Sequence, residues 1–219
     1  MTDPNYTHLA FLLDRSGSME TIGSDIEGGF DAFIADQASQ PGRCTVTLAQ
    51  FDDRYEVVYE SRPVDLVPKL DLQPRGMTAL LDSIGRLVTD VGAGLAAMPE
   101  EKRPGTVIVG IMTDGLENAS REWTHPAIKA LIERQERDYS WTFSYMGANQ
   151  DAIEVGAGLG IDADRSMTYA PGHSREAITG YSSSVSRIRA ARLAGEGIDD
   201  ARAAGAYTQS QRDAADGTD

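Results

Sequence analysis

The chain has 219 residues, of which 41% are hydrophobic and 25% charged, a composition typical of a soluble globular protein with one sizeable α/β domain. Its 20 basic and 34 acidic residues give a formal net charge of −14, which argues against a nucleic-acid backbone or an anionic membrane surface as the main partner. The single cysteine, Cys44, excludes an intramolecular disulfide and a thiolate metal cluster, and the lack of a signal-peptide pattern or of a run of about 20 apolar residues favours a cytoplasmic location.

The first predicted strand, at about residues 7–13, is an apolar run that stops at a carboxylate. Asp14 follows it directly, and Ser16 and Ser18 come next at alternate positions, so all three lie on the loop that leaves the carboxyl end of the strand. One carboxylate and two hydroxyls are hard oxygen donors, which suit Mg²⁺ or Mn²⁺ better than zinc or copper. The alternative interpretation is that the two serines only cap a following helix.

Helical spacing of apolar residues continues from Met19 to about Gln37 and predicts the first helix. Its opposite face is acidic and carries no basic residue, which indicates a solvated face or, alternatively, an acidic docking surface. These acidic residues are Glu20, Asp25, Glu27, Asp31 and Asp36.

The next elements lead to a threonine. Residues 43–51 read as the second strand, and residues 54–60 alternate partially, as expected of an antiparallel edge strand. An irregular crossing, the segment that contains Pro63, Pro68 and Pro74, then leads to Thr78. A strongly periodic helix follows at about residues 80–95.

The fourth strand, residues 106–112, is a second apolar run that ends near a carboxylate, Asp114. A helix at 124–138, a strand at 141–146, a short helix, a strand at 167–169 and a helix from 174 to about 194 follow. Asn149 and Gln150 come directly after the fifth strand, where a helix cap is favoured over ligand contact. Alternating strands and helices predict an α/β fold with a doubly wound, mostly parallel, six-stranded sheet, one antiparallel edge strand and helices on both faces.

The last segment, residues 196–219, differs in composition from the rest. It contains six acidic and two basic residues, and Ile198 and Tyr207 are its only large apolar side chains. We therefore divide the chain into a folded domain, residues 1–195, and an acidic tail, residues 196–219, that is expected to be disordered or loosely helical.

Taken together, the three polar segments resemble the metal-ion-dependent adhesion site (MIDAS) of the von Willebrand factor A (vWA) family. That motif is Asp-x-Ser-x-Ser, then a threonine, then an aspartate, and the matching residues here are Asp14, Ser16, Ser18, Thr78 and Asp114. The resemblance covers about residues 6–170. It implies a Rossmann-like fold whose carboxyl edge, at the switch in winding direction, holds the metal.

The resemblance also implies a function. In the family, Mg²⁺ (or Mn²⁺) held by these residues binds an acidic side chain of a partner protein, so a metal-dependent protein–protein interaction module is expected rather than an enzyme. Intracellular members often work beside AAA+ ATPases, kinases or stress-resistance proteins, and nothing in this sequence selects among these partners.

The competing hypothesis is a Mg²⁺-dependent phosphatase or hydrolase that uses Asp14. A weaker resemblance to the haloacid-dehalogenase phosphatases supports it, but their second aspartate is replaced here by Ser16. The three histidines, His8, His125 and His173, are at positions typical of structural or solvated side chains, so no general base is evident.

Overall fold

The computed structural model describes residues 2–148 and 151–218. Its sheet has six strands in the order β3-β2-β1-β4-β5-β6. Only β3, at one edge, is antiparallel to its neighbour, and the other pairs are parallel. The strands are β1 (Asp3–Asp14), β2 (Arg43–Phe51), β3 (Tyr55–Pro63), β4 (Pro104–Thr113), β5 (Thr142–Ala148) and β6 (Ser166–Tyr169). The predicted fold class is therefore confirmed.

Helices cover both faces of this sheet. They are α1 (Gly23–Ser39), α2 (Leu80–Ala97), α3 (His125–Tyr139), α4 (Ala152–Leu159), α5 (Ser174–Leu193), α6 (Ile198–Gly205) and α7 (Gln209–Asp216). Side chains alternate along β1, so that Leu9, Phe11 and Leu13 pack with α1 and α5, whereas Ala10 and Leu12 pack with α2, α3 and α4. The central strands are buried on both sides, which explains their nearly continuous apolar sequences.

The two central strands, β1 and β4, are neighbours in the sheet and end at the same level. Leu13 pairs with Met112 in the register, so Asp14 and Thr113 are side by side at the carboxyl edge. The chain winds to opposite sides after these strands, which is where open parallel sheets form ligand sites.

The structure corrects the expectation that residues 196–219 are disordered or loosely helical. Residues 198–216 form α6 and α7, which pack against α5 and β6, and Ala201, Tyr207 and Ala215 are buried in the core. The segment has few large apolar side chains, but its alanines and glycines allow close approach. A Cβ on Gly205 would collide with Ile188 of α5.

The structure also corrects the prediction that the acidic face of α1 is either solvated or a docking surface. Three of its carboxylates accept hydrogen bonds from other parts of the chain. Glu27 and Asp31 accept hydrogen bonds from the backbone N–H groups of Leu72 and Leu70. Asp36 accepts from hydroxyls on α5, those of Ser182 and Ser186. These acids fasten the crossing before α2 and the helix α5 to α1.

Within the two described ranges, none of the helices combines the length and the apolar character needed to traverse a bilayer. Cys44 is a free, buried thiol, and burial raises its pKa to about 11. It is therefore a small core side chain, as the sequence indicates.

Candidate metal site

Asp14 is the last residue of β1, and its side chain is completely buried. One carboxylate oxygen, Oδ1, accepts from the backbone N–H of Ser16 at 2.6 Å, and Oδ2 accepts from the hydroxyl of Thr113 at 2.5 Å. Burial raises the pKa of Asp14 to about 6, against the lowering effect of these hydrogen bonds, and the nearby Asp114 adds to the rise. The fold therefore holds a carboxylate where a negative charge is costly unless a cation lies close to it.

Ser16, Ser18 and Asp114 form a chain of hydrogen bonds beside Asp14. The hydroxyls of Ser16 and Ser18 are 3.1 Å apart, and Ser18 donates to Oδ1 of Asp114 at 2.6 Å. Burial also raises the pKa of Asp114. These contacts bring the loop after β1 and the loop after β4 together.

Thr78 lies just before α2 and is held by the loop after β4. Its backbone N–H donates to Oδ1 of Asn118, and its carbonyl accepts from the backbone N–H of the same residue. A Cβ on Gly115 would lie only 2.7 Å from the Thr78 hydroxyl. Glycine at this position therefore leaves room for the hydroxyl oxygen next to Asp114.

The start of α2 is capped by this same loop, since Ala79 at the N-cap position provides no side-chain acceptor. Glu117 accepts from the N–H of Leu81, and the Ser120 hydroxyl accepts from the N–H of Asp82. In return, the Asp82 carboxylate accepts from three consecutive N–H groups, those of residues 121–123. The segments that carry Thr78 and Asp114 are thus joined into one unit.

An ion-pair network centred on the buried Asp52 joins the loop after β1 to this unit. Asp52, at the end of β2, accepts from the guanidinium groups of Arg15 at 3.0 Å and Arg75 at 2.9 Å. Burial would raise the pKa of Asp52, but the hydrogen bonds from Arg75, Arg15 and the Arg54 N–H hold it below its usual value. The Arg75 N–H also donates to the carbonyl of Arg15 at 2.7 Å, so the loop after β1 is fixed to the crossing that leads to Thr78.

All five residues of the predicted site thus lie at one edge of the sheet. Asp14, Ser16, Ser18 and Asp114 are connected by hydrogen bonds, directly or through the Ser16 backbone, and Thr78 adjoins Asp114 through Gly115. The predictions for Asn149 and Gln150 fall outside the described residues.

Sequence reasoning missed the residues that support the site. Thr113 orients Asp14, and the Tyr169 hydroxyl of β6 donates to the Thr113 carbonyl at 3.2 Å. Two features of the sequence could have pointed to them. Thr113 directly precedes Asp114 at the end of a strand, and the loop 115–123 is rich in polar side chains that can accept hydrogen bonds from N–H groups.

The donor set fits a hard divalent cation. It offers two carboxylates and three hydroxyls, with neither sulfur nor imidazole nitrogen. Among the described residues there is no cluster of three or more His, Cys, Asp or Glu side chains suited to a metal, so hydroxyl oxygens would have to complete any site here.

Comparison with known proteins gives matches to structures alone: no protein-family model matches the chain, and no curated protein does. Proximal thread matrix protein 1 from the mussel byssus is similar with a TM-score of 0.59 and 14% identity over 88% of this chain and 48% of that one. The vWF domain of the type V pili tip protein Mfa5 from Porphyromonas gingivalis has a TM-score of 0.57 and 10% identity over 82% of this chain and 94% of that one.

A further structure of the mussel protein is described as having a zinc-occupied MIDAS motif. It has a TM-score of 0.55 and 16% identity over 88% of this chain and 46% of that one. The chain thus spans about half the length of the mussel protein. At such low identities these likenesses show the fold.

Proposed function

We propose that this chain, which has the fold of the von Willebrand factor A domains, binds a divalent metal ion at the carboxyl edge of its sheet and, through it, an acidic side chain of a partner protein. The observation that carries the proposal is the convergence of oxygen donors from three separate loops. Asp14, at the end of β1, and Ser18, on the loop after it, are linked through Ser16, and Ser18 donates to Asp114 on the loop after β4. Thr78, at the start of α2, adjoins Asp114 through Gly115.

We expect Mg²⁺, with Mn²⁺ as the alternative, held by Asp14, Ser16, Ser18, Thr78 and Asp114. Two carboxylates and three neutral hydroxyls leave such a cation partly unneutralised, and the bound ion would offer a position for an outside carboxylate oxygen. The zinc-occupied motif in the mussel protein supports a divalent ion at the equivalent edge of this fold. Comparing the stability increments given by the different ions distinguishes among them.

Two exposed apolar side chains beside the site support a protein as the ligand. Met77 precedes Thr78 and is 54% exposed, and Leu116 follows Gly115 and is 66% exposed. Large apolar side chains exposed around a polar centre are typical of interaction surfaces. A partner that presents Asp or Glu next to apolar residues would bury both kinds of group.

A binding role without catalysis is favoured over a hydrolase. Asp14 is completely buried and each of its oxygens accepts a hydrogen bond inside the protein, so a substrate could not reach it for nucleophilic attack. A small ion beside the neighbouring hydroxyls could still interact with its remaining lone pairs, directly or through a water molecule. His8 is buried in β1, and burial lowers its pKa to about 4, so it is far from the properties of a general base at neutral pH. We expect the wild type not to hydrolyse p-nitrophenyl phosphate in the presence of Mg²⁺. Hydrolysis by the wild type that is absent in Asp14→Asn would favour the hydrolase instead.

The decisive experiment measures stability with and without metal. Urea unfolding of the wild type is compared in EDTA and in millimolar Mg²⁺, Mn²⁺ or Zn²⁺. Binding to the folded state alone adds about 2.7 kcal/mol to the free energy of unfolding at one hundred times Kd. Asp114→Ala should abolish most of this increment.

The control removes an equal charge elsewhere. Asp65→Ala, at an exposed position after β3, should keep the metal increment of the wild type. Coincident unfolding curves in EDTA and in all three metals would contradict the metal site. Equal loss of the increment in both variants would show that it reflects net charge and not ligation.

The partner's chemistry is tested separately. Proteins that bind the wild type and are released by EDTA should not bind Asp14→Ala, and replacing one acidic residue of such a partner by its amide should mimic the chelator. Moderate salt should leave this binding intact, because it screens the repulsion between a chain of charge −14 and an acidic partner. Binding that survives EDTA would move the interaction surface away from the site.

A further inference from the structure

A cavity of about 380 Å³ lies at the opposite edge of the sheet from the metal site. It opens between the second halves of α2 and α3, at the starts of β4 and β5, and its size falls in the range of small-molecule sites. Apolar and aromatic side chains form most of its wall. They are Val88, Leu95, Val107, Leu131, Tyr139 and Trp141.

The charges at this cavity have the opposite sign to the chain as a whole. Among the described residues that line it there are two arginines, Arg103 and Arg134, and no aspartate or glutamate, in a chain with 34 acidic and 20 basic residues. Arg103 is oriented by bonds from Nε to the Met98 carbonyl and from Nη2 to the Ala96 carbonyl. A guanidinium has donors beyond these two, which can bind an anion.

One of the residues that line the cavity is a glycine, Gly92. Gly92 lies in the interior of α2, where glycine destabilises a helix relative to alanine. A Cβ built on it would meet no atom within 4 Å, so neither close packing nor backbone conformation requires its absence. A side chain at this position would narrow the cavity, and the glycine keeps it open.

From these three observations we propose that the cavity binds a small organic carboxylate with an apolar body. The apolar wall, which includes Trp141, contacts the body of the ligand, and Arg103 and Arg134 form charge-assisted hydrogen bonds to its carboxylate. Each arginine also has a carboxylate nearby, since Arg134 pairs with Asp138 at 3.9 Å and Glu100 interacts with Arg103. Neither acid lines the cavity, so the ligand's carboxylate would approach the guanidinium groups from the cavity side. This site is separate from the metal site and does not depend on the function proposed for it.

The test uses two carboxylate probes of different shape, octanoate and 4-phenylbutyrate, with the matched alcohols and ammonium ions as comparators. Binding is measured by calorimetry on protein freed of metal with a chelating resin, so that the metal site does not contribute, and by the change in tryptophan fluorescence, to which Trp123 and Trp141 both contribute. The wild type should bind at least one carboxylate about tenfold or more tightly than its alcohol, the factor expected for a charged hydrogen bond. The ammonium ions should bind more weakly still.

Two glycine variants locate the binding. Gly92→Leu fills the cavity and should abolish carboxylate binding while keeping or raising the melting temperature. Gly158→Leu is the matched control, because Gly158 is also a helical glycine whose Cβ would meet no atom within 4 Å, but it lies on α4 away from the cavity. It should bind like the wild type.

An arginine variant tests the role of charge. The double variant Arg103→Gln, Arg134→Gln should lose the preference for carboxylate over alcohol and keep its affinity for the alcohol. Any of three results overturns the proposal: no millimolar binding of either carboxylate, equal binding by Gly92→Leu and the wild type, or equal affinity of the wild type for carboxylate and alcohol. Circular dichroism confirms that each variant is folded before its binding is interpreted.

Discussion

Two regions of the molecule are held in place by side-chain hydrogen bonds of opposite polarity. One is the set of loops at the carboxyl edge of the sheet, and the other is the C-terminal extension, residues 196–218. At the carboxyl edge, carboxylates accept from backbone N–H groups, as Glu117 does from Leu81. In the extension, arginines donate to backbone carbonyls, as Arg212 does to Ser166 at 2.6 Å. The backbone groups of the two regions are therefore paired with side chains of opposite charge.

The geometry of a doubly wound sheet explains the difference. Helices begin near the carboxyl edge, where their first N–H groups lack partners, and end near the amino edge, where their last carbonyls lack partners. Asp82 and Glu117 serve the first need around α2. Arg202 of α6 serves the second, since it donates to the carbonyl of Glu136 in the last turn of α3 and to that of Trp141 just after the helix.

The largest expected effect comes from removing the extension. Truncation after Gly195 removes the two helices that pack against α5 and β6, and with them Tyr207, which is 6% exposed. It should lower the free energy of unfolding by about 3–5 kcal/mol, the range for loss of one large buried aromatic side chain. Urea unfolding measures this, and the metal increment should remain, because the extension supplies no residue of the candidate site.

A shorter truncation, after Gly217, is the control for that experiment. It keeps α6 and α7 and should unfold like the full chain. If both truncated proteins have the same free energy of unfolding as the full chain, the extension does not dock, and the disordered tail that the composition predicts is correct.

The sequence predicted the metal-site residues because each lies directly after a strand or at a helix start, where strand order alone brings side chains together. Asp14 and Asp114 follow two apolar runs that become neighbours in the sheet. The supporting residues could not be found in this way. Asn118 and Glu117 bind backbone N–H groups whose positions depend on the path of the loop, and no local pattern encodes that path.

The extension was missed for another physical reason. Counting large apolar side chains ignores the contact area gained when helices approach closely over small residues, as α6 does at Gly205 against Ile188. It also ignores arginine, whose planar fork can satisfy two carbonyls at once, as Arg212 does for Ala163 and Ser166. An acidic, alanine-rich segment can therefore dock without a visible apolar stripe.

The next largest effect is expected at acid pH, where protonation of His8, a buried residue of β1, should lower the free energy of unfolding. Burial lowers the pKa of His8 from 6.5 to about 4, so the folded protein binds this proton less readily than the unfolded chain. The contribution of His8 to stability is complete above about pH 6.5 and is lost as the pH falls towards 4, by up to about 3 kcal/mol.

The variant His8→Gln isolates this contribution, since it retains a polar side chain opposite Thr45, the present partner of His8, but cannot titrate. Between pH 7 and pH 4.5 the free energy of unfolding should fall more in the wild type than in the variant. Parallel pH profiles would show that His8 is not the group responsible.

A smaller effect separates the carboxyl edge from the extension. Glu117→Ala removes an acceptor for Leu81, Ala119 and Ser120 and should cost about 2 kcal/mol. Because Thr78 and Asp114 are then less firmly joined, the metal Kd should also rise about tenfold, as is usual when the support of a ligand is lost. Calorimetric titration with Mg²⁺ measures it, and Glu122→Ala, an exposed acid in the same loop, should leave both values unchanged.

The smallest expected effect concerns the arginine bonds of the extension. Arg212 donates through Nη1 to the Ser166 carbonyl and through Nη2 to the Ala163 carbonyl, and it lies over the ring of Tyr207. Lysine keeps the charge but cannot reach two carbonyls with a rigid fork, so Arg212→Lys should lower the free energy of unfolding by about 1 kcal/mol. Arg137→Lys is the matched control, because Arg137 is 68% exposed and pairs only with the neighbouring Asp138 among the contacts described, an arrangement that contributes little. If Arg212→Lys is as neutral as Arg137→Lys in urea unfolding, then apolar contact and not arginine holds the extension, and the contrast between the two regions disappears.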